Sequence, residues 1–169
     1  MAKDYLNVIE RALMMGISDK INSVTGTGED VYCYGQFPET EELKFPAVVV
    51  QQVASGIEEK FYGEKITFGD SNTQGTGEAY GIGFMIHLLV DRDTKITVDS
   101  VDYKQRRLLN WLMLNVANAL NDIDWDDYEE EDLEILQRNI LAWNDVGHMP
   151  QVQWYGATCR MSVVFLNKR

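Results

Sequence analysis

At 169 residues, with 45% hydrophobic and 25% charged side chains, the chain is long enough for one globular domain with a substantial core. Its formal net charge of −12 argues against a nucleic-acid groove and an anionic membrane surface, because both bind through Lys and Arg. No apolar run approaches the length of a membrane-spanning helix, and the opening "MAKDYLNVIERALMMG" carries charges where a signal peptide would be apolar.

The first third of the sequence predicts a helix followed by two strands. Apolar residues recur in steps of three and four from Tyr5 to Val24, with Asp4 placed as the N-cap. "VYCY" at 31–34 predicts a short strand. "KFPAVVVQQV" at 44–53 predicts a second one, after a loop that holds two of the three prolines.

A long hairpin is predicted next. Its tip, at about residues 69–77, contains "DSNTQGTG", which has no aliphatic side chain and is rich in glycine and small polar residues, so we expect it to be flexible. In the returning strand, Tyr80, Ile82 and Phe84 begin one face of a clean alternation that continues to residue 90. The opposite face carries glycines and His87.

A long helix is predicted next, from about Val98 to Asp122. Thr97, Asp99 or Ser100 would be its N-cap. The buried stripe of the helix consists of Leu108, Leu109, Leu112, Val116, Ala119, Leu120 and Ile123.

An acidic connection spans about residues 121–135. It holds nine acidic residues and no basic one, so the rest of the chain carries 18 acids against 15 bases, a net charge of −3. The segment lacks the alternating oxygen ligands and the central glycine of an EF-hand. We therefore interpret it as a solvent-exposed linker that gives the surface a local negative charge.

The remaining sequence predicts a closing hairpin. Residues 133–147 are ambiguous between a short helix and a strand; we favour a helical turn near Leu133 and a strand from about Asn139. Pro150 marks a turn, and alternation over 151–167 predicts the final strand. The predicted fold class is therefore α+β. It is a single domain, 1–169, with a mixed, mainly antiparallel sheet, two main helices packed on one face and an extended β-hairpin.

Residues that carry chemistry are sparse. His87 and His148 have no ligand at the spacing of a metal motif, and Cys33 and Cys159 lie far apart, which favours two free thiols. "GTGEAYG" leads into a strand, whereas a nucleotide-binding glycine motif opens a helix. "DRD" at 91–93 is typical of solvated charges at a strand end. We therefore predict no catalytic, cofactor-binding or metal-binding residues, and no enzyme.

Aromatic residues are more numerous than a small core requires, with four tryptophans and eight tyrosines. In a chain without an active site, this favours surfaces that bury area against partners. The candidate assembly-interface residues lie in the hairpin tip and the final strand: Asp70, Ser71, Asn72, Thr73, Gln74, Trp154 and Tyr155.

The order of elements resembles the tail terminator proteins (neck or tail-completion proteins) of long-tailed bacteriophages. The likeness is carried by "FPAVVV" at 45–50, the strand at 78–90 and the segment 151–167, which ends in "GATCRMSVVFLN". It covers nearly the whole chain through short motifs. The hairpin tip and residues 122–138 are longer than in the smaller members of that family.

The resemblance implies a structural virion protein that forms a ring, a homohexamer in that family, at the head-proximal end of the tail tube. Such a ring ends tube polymerisation and gives the head-tail connector protein a docking surface. The implied partners are other copies of the chain, the tail tube protein and the connector protein. DNA would pass through the ring without specific binding, and no membrane is involved. The implied location is the tail or neck of the virion, after assembly in the host cytoplasm.

Two other classes of function remain open from the sequence. The chain could be another head-tail connector or head-completion protein, which the sequence separates poorly from a tail terminator. It could also be a small-ligand-binding or regulatory α+β domain, which would need a deep pocket in the monomer. Asp91, Asp93 and His87 would be the only polar centre for an enzyme.

The charge generates a first prediction. With −12 per chain, binding to duplex DNA should be undetectable by fluorescence anisotropy even at about 50 mM salt, where electrostatic attraction is strong. Micromolar binding under those conditions would contradict our interpretation of the charged surface.

Overall fold

The computed structural model contains two helices and eight strands among the residues that it describes. These are residues 5–25, 31–39, 42–58, 65–68, 75–127 and 133–168. The helices are α1 (Tyr5–Thr25) and α2 (Gln105–Asp122), and a short 3-10 turn follows at Trp125–Asp127. The strands are β1 (Tyr32–Tyr34), β2 (Ala47–Glu58), β3 (Lys65–Phe68), β4 (Gly75–Val90), β5 (Lys95–Val98), β6 (Val101–Lys104), β7 (Leu133–Met149) and β8 (Trp154–Lys168).

Six of the strands form one mainly antiparallel sheet, as predicted. Its order is β1–β2–β4–β8–β7, and β3 pairs with the first residues of β4. The pair β1–β2 is parallel and the other pairs are antiparallel. The two helices pack beside a mainly antiparallel sheet and do not alternate with parallel strands. The predicted α+β class with a single domain is therefore confirmed.

The core lies between the two helices and one face of the sheet, which we call the inner face. Phe84 is 1% exposed, and burial of such a side chain stabilises the fold by roughly 1.5–3 kcal/mol. The whole predicted stripe of α2 is buried. The inner face buries Val48, Val50, Ile82, Phe84, Ile86, Leu88, Val90, Ala157, Cys159, Met161, Val163 and Phe165, and α1 adds Ile9, Ala12, Leu13, Ile17 and Ile21.

The predicted start of the second helix was wrong. β5 and β6 form a hairpin where the helix was expected to begin, and α2 starts at Gln105. Asp99 and Ser100, predicted as caps, both have positive φ and form the two-residue turn between the strands, a geometry that matches strand twist. Thr97 is also not a cap, because its hydroxyl bonds Asp102 across the hairpin. The actual N-cap position, Lys104, makes no side-chain capping bond.

The predicted helical turn near Leu133 was also wrong. β7 is a strand from Leu133, six residues before the predicted start at Asn139. It pairs along nearly its whole length with β8, so tertiary pairing decides a segment whose local pattern was ambiguous. Of the acidic connection, residues 128–132 lie outside the described residues. Neither helix in the described part of the chain is long and apolar enough to cross a membrane.

Two arginines connect α2 to β7. Arg106, at the start of α2, forms an ion pair with Asp145 of β7. At the other end, Arg138 of β7 donates to the carbonyl oxygens of Asn121 and Ile123 at 3.0 Å each. A helix ends with carbonyls that lack intrahelical partners and carry partial negative charge, so this guanidinium caps α2 from the neighbouring sheet.

The Arg138 cap generates a second prediction. Arg138→Met removes both hydrogen bonds and leaves the end of α2 uncapped, so urea unfolding should show a loss of about 1–2 kcal/mol. Arg11→Met, at an exposed position of α1, is the matched control and should cost less than about 0.5 kcal/mol. Equal effects from the two variants would contradict a capping role.

Candidate assembly surface

The face of the sheet opposite the helices, which we call the outer face, is polar in its centre. Cross-strand neighbours form rows there, and the central row runs Gln51–Met85–Arg160–Ala142 across β2, β4, β8 and β7. Gln51, Arg160 and Ala142 are exposed in this row, and Met85 is half-buried. The next row, Val49–His87–Thr158–Asn144, adds three polar side chains. Neither of the two described helices covers this centre, where Gln51, Arg160 and Ala142 are exposed.

His87 lies in this face and is hydrogen-bonded, as the sequence favoured. Its Nε2 atom is 3.0 Å from Oε1 of Gln51, and its ring stacks obliquely on Phe37 with a centroid separation of 4.8 Å. Partial burial lowers the pKa of His87 below its ordinary 6.5. The ring therefore belongs to the structure of the surface, and its contacts among the described residues are with Gln51 and Phe37.

The loop between β1 and β2 folds over one end of the outer face. Tyr34 accepts a hydrogen bond from the backbone N–H of Lys44 at 3.0 Å, and Phe45 packs on Trp154 with ring centroids 5.0 Å apart. Beneath the loop, Ala47 and Val49 have no exposed surface. The outer face is thus closed at this end and open at its centre.

The predicted interface residues occupy different places. Trp154 is half-buried against Phe45, and Tyr155 lies on the opposite face, where its ring is 4.9 Å from that of His148 and its hydroxyl donates to Gln105 at 3.4 Å. Both side chains therefore have partners within the chain. The tip residues Asp70, Ser71, Asn72, Thr73 and Gln74 lie outside the described residues. The predicted end of the tip at about residue 77 was wrong, because residues 75–77 begin β4 and pair with β3.

β7 forms one edge of the sheet. Its pairing with β8 shifts register between Ile135 and Gln137, between Ile140 and Ala142, and between Asp145 and Gly147. At the last bulge Gly147 has a φ of +72°, and its N–H donates to Asp145 at 2.8 Å. Bulges restrict uncontrolled pairing along an edge, so only short stretches of β7 are regular enough to pair with another strand.

Nucleophilic and metal chemistry has little support in the described ranges. Burial raises the pKa of Cys33 to about 12 and that of Cys159 to about 11, so both thiols are protonated and unreactive at neutral pH. Both are free, as predicted. Among the described side chains no group of three or more His, Cys, Asp or Glu is placed to hold a metal ion.

Two cavities border the end of α2. One, of about 280 Å³, lies between α1 and α2 and is lined by Asp19, Lys20 and Asp122 among others. The other, of about 390 Å³, is lined by Asp124, Trp125, Asp126, Gln137 and Arg138 with two isoleucines. Ligand pockets are mostly apolar with few polar groups, and these charged linings do not fit that description.

Comparisons with known proteins find similarity among solved structures alone. No family model matches the chain, and no curated protein matches it. A solved chain described as "Virion of native gene transfer agent (GTA) particle" aligns over 99% of this chain and 98% of its own length, with 13% identity and a TM-score of 0.45. At that TM-score the likeness establishes neither a shared fold nor a shared role.

The residues of the open outer face, such as Gln51, Met85 and Arg160, were not predicted as interface residues. The alternation in β4 and β8 assigns Met85 and Arg160 to the face opposite the core, whereas Gln51 lies in β2. It could not have placed the three in one row, because a row depends on the register between strands that are far apart in sequence.

His87 generates a third prediction. Because its folded pKa is below 6.5, the unfolded chain binds the proton more readily, and stability falls as pH decreases through about 6.5, then levels off below the lowered pKa. His87→Gln removes this loss and keeps a group that can hydrogen-bond Gln51. Urea unfolding at about pH 8 and about pH 5.5 should give a smaller difference for this variant than for the wild type.

Thr158→Ser is the control, since it alters the neighbouring position of the same row without changing a titratable group. It should retain the wild-type difference between the two pH values. An unchanged difference in His87→Gln would mean that the ring is not the group that titrates.

Proposed function

We propose that this protein is a structural component of a tailed virion, and more narrowly a tail terminator. In this role, copies of the chain form a ring, a hexamer by the resemblance, on the last ring of the tail tube. The ring stops polymerisation and gives the head-tail connector protein its docking surface. The protein is not an enzyme in this proposal, and it requires no cofactor.

The observation that carries the proposal is the division of the sheet into two unlike faces. The inner face is closed by both helices, and the outer face has an open polar centre that borders the bulged edge strand β7. A ring subunit needs two different surfaces, since each contact in a cyclic assembly is head-to-tail. Together with the tail-terminator-like order of elements along the chain, this arrangement favours a part that assembles.

The charge of the chain supports passage of DNA through the ring. A channel for DNA must not hold it, and a subunit with a net charge of −12 repels phosphates.

The proposal is tested with purified tail tubes. Wild-type protein should form rings at tube ends, visible by negative-stain electron microscopy, and should stop growth when added to polymerising tube protein. Protein that never decorates tube ends would contradict the tail terminator role. Rings bound instead to an isolated portal or connector would favour the other connector role.

The hairpin tip supplies the fourth prediction. Residues 69–74, between the paired residues Phe68 and Gly75, have nothing apolar to bury, and ordering such a segment costs about 1 kcal/mol or more per residue, which contact with a neighbour or the tube would offset. Replacing 69–74 with Asn-Gly puts a two-residue turn between Phe68 and Gly75 and should leave the unfolding free energy within about 1 kcal/mol of the wild type. The shortened protein should nevertheless fail to cap tubes, giving overlong tails.

Normal tail lengths with the shortened protein would mean that the tip is only a spacer. The interface would then have to be sought on the segment 151–167. A matched control is a variant of unchanged length in which Ser71 and Thr73 become alanine. This control should still cap tubes if backbone reach, rather than these two hydroxyls, makes the contact.

A further inference from the structure

The charged side chains at the two ends of helix α2 have the signs that the helix dipole disfavours. A helix has partial positive charge at its N-terminus and partial negative charge at its C-terminus. In α2 the first turn has no acidic residue and the last turn has no basic one. Basic side chains flank the start instead, and acidic side chains follow the end. Charges placed against local stability are candidates for a role between molecules.

At the start of α2, two basic groups are available to a partner. Lys104 and Arg107 are exposed, and Arg107 contacts only the ring of Tyr103, at 5.9 Å, among the polar and ring contacts of the described residues. Arg106 is committed to Asp145 and Lys95 to Asp102, so their charges are partly neutralised. We call Lys104 and Arg107 the basic end.

At the other end of α2, Asp126 and Asp127 are exposed in the 3-10 turn and belong to no ion pair among the described residues. Asp124 is also exposed and accepts a bond from the N–H of Asp126 at 3.1 Å, whereas Asp122 pairs with Lys20. We call Asp124, Asp126 and Asp127 the acidic end. In sequence, four more acids follow at 129–132.

Trp125 gives independent support for a partner at the acidic end. The residue is only 7% exposed, and its indole N–H has no acceptor among the described residues. It lines the 390 Å³ cavity together with Asp124, Asp126 and Arg138. The guanidinium of Arg138 donates to the carbonyl oxygens of Asn121 and Ile123, whereas Asp126 belongs to no ion pair among the described residues. A buried donor without an acceptor is costly, so the site favours a ligand that brings an oxygen acceptor. A polypeptide segment with a basic side chain supplies both an acceptor, its carbonyl, and a positive charge.

From these observations we infer that the basic end of one copy docks on the acidic end of a second copy. The two ends are separated by the length of α2, about 27 Å for its 18 residues, so a single copy cannot satisfy both by itself. Like ends repel, which disfavours contacts between two basic ends or two acidic ends, and unlike ends attract, which favours contacts between the basic end of one copy and the acidic end of another. The inference deepens the proposed function and rests on it only for the closure of such contacts into a ring.

Paired charge reversals test this docking by sedimentation velocity at low salt. Lys104→Glu with Arg107→Glu makes both ends acidic, and Asp126→Lys with Asp127→Lys makes both ends basic. The self-association constant of each variant alone should be lower than that of the wild type by a factor of about ten or more. Mixed in equal amounts, they should associate again, because every contact in an alternating array joins unlike ends. Added salt should weaken the mixed and the wild-type complexes.

Controls change the net charge equally at other exposed positions. Arg11→Glu with Lys44→Glu matches the first variant, and Glu39→Lys with Glu42→Lys matches the second. Both controls should self-associate as the wild type does, and their mixture should gain nothing. Equal losses in controls and test variants would overturn the inference, as would a wild type that stays monomeric over the whole concentration series, or a mixture that does not associate.

Tube capping separates this inference from the proposed function. If both reversal variants cap tubes and self-associate as the wild type does, the docking is wrong and the tail terminator role stands. If the variants lose and regain association as expected but the wild type never caps tubes, the docking stands and that role is wrong. Duplex DNA that binds the wild type and not Lys104→Glu with Arg107→Glu would make DNA the occupant of the basic end, and would overturn the inference.

Discussion

The antiparallel pairing of β4 with β8 is the constraint on which the rest of the structure depends. It runs from Gly77 opposite Lys168 to Val90 opposite Tyr155 without a register shift. Because strand side chains alternate between faces, a slip of one residue would turn Phe84, Ile86 and Leu88 away from the helices and expose them. The core therefore holds this register in place, and the register in turn determines which polar residues become neighbours on the outer face. The candidate assembly surface is a by-product of the same pairing that forms the core.

Both helices lie on one side of the sheet, and this asymmetry leaves the other side to be stabilised by different means. At one end the β1–β2 loop closes the outer face through aromatic contacts such as Phe45 on Trp154. At the far edge β7 is interrupted by three bulges and is fastened to α2 by Arg106 and Arg138. These features protect a monomer from uncontrolled strand pairing while keeping a polar surface open. A subunit that must stay soluble before it assembles faces the same two requirements.

The sequence predicted the fold class, both helices, the core stripe of α2 and the faces of β4 and β8, because each depends on periodicity within one segment. The sequence-based predictions were wrong where contacts with other segments determine the secondary structure. Asp99 and Ser100 have the chemistry of helix caps, yet the alternation on both sides of them makes a hairpin turn. β7 is a strand because it pairs with β8, and the sequence pattern within β7 does not indicate that pairing. The row that joins Gln51 to Arg160 was equally inaccessible, since these two residues lie more than a hundred positions apart in the sequence.

The charges around α2 link stability to assembly. Reversing them would suit the helix dipole, and each favourable charge at a helix end contributes about 0.3–1 kcal/mol at an exposed site. The chain instead stabilises the end of α2 from outside, through the guanidinium of Arg138 and the pairing of Asp122 with Lys20. Because the cap comes from β7, the acids that follow α2 do not need to be replaced by bases to keep the helix intact. A sheet-derived cap thus allows one helix to present opposite charges at its two ends, and its dipole then adds to the polarity of the subunit.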